Sequence, residues 1–175
     1  MRQDVYKRHI KNEKYHWWFT ARREIIYFLI FNLKHKKPLS ILDFGAGSGT
    51  NIEMLTKLGK VEVYEKNLKM KSLLKLKFKR NNNVKIVNRI EKKYNLIIAA
   101  DVIEHIKDDK KVVNKFHYLL KKNGHILITV PAFNFLFSNK DVALKHFRRY
   151  RKSNLKDLLN KKFKIDKLSY FNFLL

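Results

Sequence analysis

Ile41-Leu42-Asp43-Phe44-Gly45-Ala46-Gly47-Ser48-Gly49-Thr50-Asn51 decides how this chain folds. The apolar run from Leu39 to Phe44 reads as a buried strand. Three glycines follow at alternate positions, and a helix-like segment, Asn51-Ile52-Glu53-Met54-Leu55, comes next. Strand, glycine turn and helix together build a ligand site in an open α/β sheet. Glycine lets the backbone turn sharply and a ligand come close. The following helix N-terminus offers unpaired N–H groups. A dinucleotide fingerprint would need its third glycine at position 50, where Thr50 stands, and the Gly-Lys-Ser/Thr of a phosphate loop is absent.

Working outward, Val61-Glu62-Val63-Tyr64-Glu65 alternates like a second strand and ends on an acid. An acid there can accept hydrogen bonds from the ribose hydroxyls of a bound nucleoside, or it is a plain surface carboxylate. Leu68 to Phe78 keeps apolar residues at helical spacing, and Val84 to Val87 is a short strand followed by Asn88. Tyr94 to Ala100 is the cleanest buried strand and runs into Asp101-Val102-Ile103-Glu104-His105. Two acids and an imidazole at the carboxyl end of a central strand sit where ligands bind in such sheets. A helix from Lys110 to Leu120, stopped at Gly124, leads to a fifth strand, His125 to Pro131. Ser153 is expected to cap a helix from Asn154 to Leu159, and Phe163 to Leu168 alternates as a sixth strand.

Before the first strand, Trp18, Phe19, Ile25, Ile26, Leu29 and Leu33 form a helical stripe, closed by Pro38. Residues 1–38 are therefore read as an N-terminal helical lid or extension, and 39–175 as the core of one domain. No window is apolar enough to span a bilayer, no signal peptide is visible, and cysteine is absent. Disulfides and thiolate chemistry are thus excluded, and the cytoplasm is the expected compartment. The net charge of +25 invites a nucleic-acid or anionic-membrane reading. The lysines are spread along the whole chain, so a solvated basic surface is the plainer one.

Taken in order, Tyr15-His16-Trp17-Trp18-Phe19 with Arg22-Arg23, D-x-G-x-G-x-G at Asp43–Gly49, Asp101-Val102-Ile103-Glu104-His105, Val130-Pro131-Ala132, Asp141, His146-Phe147-Arg148-Arg149-Tyr150 and Ser169-Tyr170-Phe171-Asn172 form a set. The set resembles class I S-adenosylmethionine (SAM)-dependent methyltransferases, of the type found in ubiquinone and menaquinone biosynthesis, over nearly the full chain. The resemblance implies a Rossmann-like, doubly wound, mostly parallel sheet with helices on both faces. The family's last antiparallel strand is not found, and the chain stops on the apolar run Phe171 to Leu175. A fragment, or an edge covered by a partner or a second copy, is expected from that.

The resemblance implies SAM as cofactor, held by Asp43, Gly45, Ala46, Gly47, Gly49, Glu65, Asn88, Asp101 and Val102. Trp17 and Trp18 either pack a helix on the sheet or close over the sulfonium, worth about 0.5–2 kcal/mol as cation–π contacts. With Glu104, Arg149 and Tyr150 they make up the expected acceptor side. Arg149 and Tyr150 are expected to hold an anionic acceptor, unless they pair with Asp141 and hold the loop down. His105 and His146 are the candidate bases, and no metal is expected. The expected reaction is methyl transfer to a small-molecule, lipid-linked or sugar-linked acceptor. The alternatives are an NAD(P)-dependent oxidoreductase, a non-catalytic module and an RNA methyltransferase.

Overall fold

The structure is a computed structural model and describes residues 16–33 and 38–171. Tyr15 and the terminal run from Asn172 to Leu175 lie outside the described residues. The strands are β1 (Leu39–Phe44), β2 (Gly59–Tyr64), β3 (Val84–Val87), β4 (Tyr94–Ala100) and β5 (Leu120–Thr129). The helices are α1 (Trp17–Phe31), α2 (Ile52–Thr56), α3 (Leu68–Lys77), α4 (Asp109–Leu119), α5 (Asn139–Leu144) and α6 (Lys152–Leu159). All pairings are parallel, in the order β3-β2-β1-β4-β5.

Strand alternation sorts the core into two faces. Ile41, Val61, Val63, Leu96 and Ile98 pack with Ile26 and Ile30 of α1, Ile52 and Leu55 of α2, and Leu74 of α3. Leu42, Phe44, Ile97 and Ala99 pack on the opposite face with Val112, Val113 and Phe116 of α4, and Leu155 and Leu159 of α6. The sheet is thus covered on both sides, as its apolar strands require. The chain winds outward from β1 to β3, then returns to lay β4 on the other side of β1. That reversal opens a crevice beyond the carboxyl ends of β1 and β4, where open α/β sheets bind ligands.

Phe163 to Leu168 is not a strand: Phe163, Ile165 and Leu168 pack against the second face, but their backbone joins no ladder. Alternation was enough to bury side chains without pairing the chain. β5 starts at Leu120, directly after α4, and its register with β4 shifts between Tyr94 and Leu96. Ser153 lies inside α6, which begins at Lys152 without a side-chain cap. In α1 the buried stripe is Arg22, Ile26 and Ile30, whereas Ile25 is exposed.

Candidate active site

The glycine turn forms the floor of the crevice. Gly45, Gly47 and Gly49 all have positive φ, a region that side chains disfavour. Their roles differ. A Cβ on Gly47 would meet nothing within 4 Å, so this backbone faces open space. A Cβ on Gly49 would come within 2.5 Å of Leu74 Cδ2, so this glycine is needed for helix packing. Gly49, expected to touch the cofactor, is buried beneath the turn and does not line the crevice.

Glu65 sits immediately after β2. Its Oε2 accepts from the Gly47 N–H at 2.9 Å and its Oε1 from the Asn67 N–H at 2.7 Å. A carboxylate has about four acceptor sites, so the two oxygens retain capacity for ligand hydroxyls. Asp43 is fully buried, and its Oδ2 has no hydrogen-bond partner. Burial, with Glu65 nearby, pushes its carboxyl up to about 7. Asn51, which the sequence did not single out, also lines the crevice with a buried, unpartnered Oδ1. Asn88 is exposed, faces Lys71 and lies outside the lining, because β3 ends too far along the sheet edge.

Beyond β4, Asp101 adopts a left-handed φ of 54°. Its carboxylate is held by Thr129 Oγ1 at 2.8 Å and by Arg22 of α1. The expected cofactor contact at Asp101 therefore has a carboxylate already engaged from within the protein. Arg22 ties α1 across the crevice and was missed as a site residue. The signal was a charged residue in line with Ile26 and Ile30, on the face α1 buries. Trp18 lines the crevice and packs against Phe171 at 6.1 Å between ring centroids. Trp17, expected on the acceptor side, points outward and is half exposed.

The far wall is the excursion from Ala132 to Tyr150, zipped at its base by a bridge between those two residues. Asp141 is its hub. Arg149 donates to it twice, Nε to Oδ1 and Nη2 to Oδ2, each at 2.9 Å. His146 Nδ1 lies 2.9 Å from Oδ1, and the Ser138 N–H donates to Oδ2 at 2.9 Å. Burial raises Asp141, but these hydrogen bonds outweigh it and hold the carboxyl well below its usual range. With Asp141 ionised, Nδ1 of His146 carries the proton and Nε2 is left as acceptor. The His105 and His146 rings meet edge to face at 4.5 Å.

Arg149, which lines the crevice, and Tyr150 were expected to hold an anionic acceptor, but both are engaged from within the protein, for Arg149 by the alternative partner Asp141. Arg149 is forked onto Asp141, with Nη1 3.3 Å from the Ala132 carbonyl. Tyr150 is buried outside the crevice and donates to Asp109 at 2.9 Å. Glu104 does line the crevice, fully buried, with neither carboxylate oxygen partnered. Burial pushes it up to about 8; Arg22 draws it back and Asp141 pushes it further. One ligand atom each from Glu104, His105 and His146 lie within 4.8 Å of one another. A carboxylate and two imidazoles that close could share a divalent transition metal, which the sequence did not lead us to expect.

A family model described as a methyltransferase domain matches residues 17–163. The chain belongs to this methyltransferase-domain family. A ubiquinone biosynthesis O-methyltransferase from Pelagibacter ubique is 26% identical over 125 residues, which is 64% of this chain and 52% of that protein. The methyltransferase-domain chain thus spans about half the length of this curated relative. Among solved structures, the N-methyltransferase NodS from Bradyrhizobium japonicum, in complex with S-adenosylhomocysteine, is similar at a TM-score of 0.68 and 14% identity, covering 90% of this chain and 84% of its own. The CurJ carbon methyltransferase is similar at 0.68 and 14%, over 88% of this chain and 50% of its own. These likenesses carry the Rossmann-like methyltransferase fold.

Proposed function

We propose that this methyltransferase-domain chain transfers the methyl group of SAM to an acceptor that is a small molecule or is linked to a lipid or sugar. The observation that carries the reading is the crevice itself. One wall offers the open Gly47 backbone, the orphaned Asp43 and Asn51 oxygens, and Glu65. The opposite wall offers His146 with its tautomer set by Asp141. When bound, SAM supplies an electrophilic methyl that leaves its sulfonium for a nucleophile of the acceptor.

The residues present fit that cofactor. Gly45, Ala46 and Gly47 would hold its amino-acid end, with Asp43 beneath them. Glu65 would accept from the ribose hydroxyls, and Val102 would wall the crevice beyond β4. Holding nucleophile, carbon and sulfur in line supplies most of the acceleration in such a displacement. An acceptor hydroxyl would lose its proton to Nε2 of His146, with His105 beside it. A base so placed contributes about 10²–10⁴-fold. The known relatives act, by their names, on oxygen, nitrogen and carbon, so the acceptor atom is not carried over from them.

Methyl-labelled SAM, incubated with the chain and a fractionated cell extract, tests this reading. Label should enter a small-molecule or lipid fraction and depend on Gly47 and Glu65. Label confined to RNA, or none in any fraction, contradicts it.

A further inference from the structure

The crevice mouth carries an apolar rim that methyl transfer does not require. Phe135 and Leu136, in the short 3-10 turn after β5, are 71% and 50% exposed. Val142 on α5 and Phe147 just beyond it are 62% and 55% exposed. Phe135, Leu136 and Phe147 also line the crevice, so they belong to its edge rather than to a remote face. Exposed apolar groups gathered this way mark an interaction surface.

Charge identifies what the surface meets. Lys140 and Lys145 stand among these apolar residues, and Arg151 and Lys152 follow, all exposed. The sole acid between residues 132 and 152 is Asp141, which is buried under Arg149 and His146. Every exposed charge on that segment is therefore positive. A second copy of this chain, at +25, would bring the same sign. Phe135 and Phe147 have π faces that could stack on bases, but Leu136 and Val142 have none, and base stacking has no use for them. Aliphatic and aromatic side chains interleaved with lysine instead match the boundary between acyl chains and headgroups.

We infer that the rim from Phe135 to Phe147 docks this chain onto an anionic lipid bilayer, with the crevice mouth facing the membrane. Phe and Leu side chains enter the acyl boundary while Lys140 and Lys145 meet lipid phosphates. The inference goes beyond the proposed methyl transfer and stands whatever acceptor the crevice takes.

Co-sedimentation of the purified chain with vesicles tests it. Phosphatidylcholine vesicles holding about one third phosphatidylglycerol should bind at least about tenfold tighter than phosphatidylcholine alone, and more weakly as salt rises. The double variant Phe135→Ser, Val142→Ser and the double variant Lys140→Glu, Lys145→Glu should each lose about tenfold in binding, with melting temperatures near that of the parent. Parent-like binding by both variants overturns the inference. So does failure of the parent chain to bind anionic vesicles, including the case in which the same variants lose affinity for an RNA homopolymer or an acidic protein.

Discussion

Arg149 grips Asp141 with two parallel hydrogen bonds of 2.9 Å, and Asp141 in turn holds His146 Nδ1 at 2.9 Å. One carboxylate thus closes the loop over the crevice and orients its candidate base. Arg149→Ala leaves Asp141 buried with two of its five hydrogen bonds gone. Breaking a buried pair from one side costs about 3–5 kcal/mol, or roughly 10 °C in a domain of this size. Arg149→Lys keeps the charge but loses the fork, and should fall between. Thermal melts of the two variants check the order.

Acid should weaken the same lock. The folded Asp141 carboxyl titrates below its ordinary value of 3.8. The unfolded chain then takes up the proton first, so stability from Asp141 is present above about pH 4 and is lost as pH falls further. Asp141→Asn should be less stable than the parent at neutral pH, with a shallower loss between pH 4 and about 2. Denaturant midpoints across that range measure it. A parallel slope in the variant would assign the acid sensitivity to other groups.

Glu104 has the opposite sign. Its folded carboxyl is raised from 4.5 to about 8, so the folded protein binds its proton more tightly. Stability is therefore lost as pH rises from about 4.5 towards 8. Glu104→Gln should raise the melting temperature near pH 8 by several degrees and leave it nearly unchanged near pH 4.5. An equal gain at both pH values would show that the carboxyl is not held protonated.

The two glycines should separate packing from binding. Gly49→Ala forces a methyl against Leu74 and Ile52 and should lower the melting temperature markedly. Gly47→Val puts its side chain into open crevice and should lower SAM affinity at least about tenfold, with a smaller thermal cost from its positive φ. Titration calorimetry and melts on both proteins give the comparison.

His146→Ala should reduce turnover by about 10²–10⁴-fold if the acceptor is a hydroxyl, with SAM affinity within about twofold of the parent. A parallel fall in SAM affinity would make His146 part of the crevice wall rather than a base.

The legible parts of this molecule were local. The glycine turn, the acid after β2 and the Asp101–His105 stretch are written within a few residues each, and they set the sheet and its crevice. What escaped depends on distant pairing. Arg22 reaches Asp101 across 79 positions, so the Arg22-Arg23 pair could be quoted as a motif without its partner being legible. For Arg149 the sequence left two readings open, a ligand or Asp141, and the fold takes the second; the pairing of Tyr150 with Asp109, 41 positions away, was not foreseen. Phe163 to Leu168 has strand periodicity, but periodicity reports burial of alternate side chains and not a backbone partner. Asn88 follows β3 in sequence order as expected, yet the outermost strand leaves it beside Lys71 and outside the crevice.

Isothermal titration of the chain with SAM tests the central claim most directly. One site per chain with a dissociation constant in the micromolar range, weakened by Glu65→Ala, is the expected result. No heat of binding at millimolar SAM from a chain that melts cooperatively would contradict a SAM-dependent function.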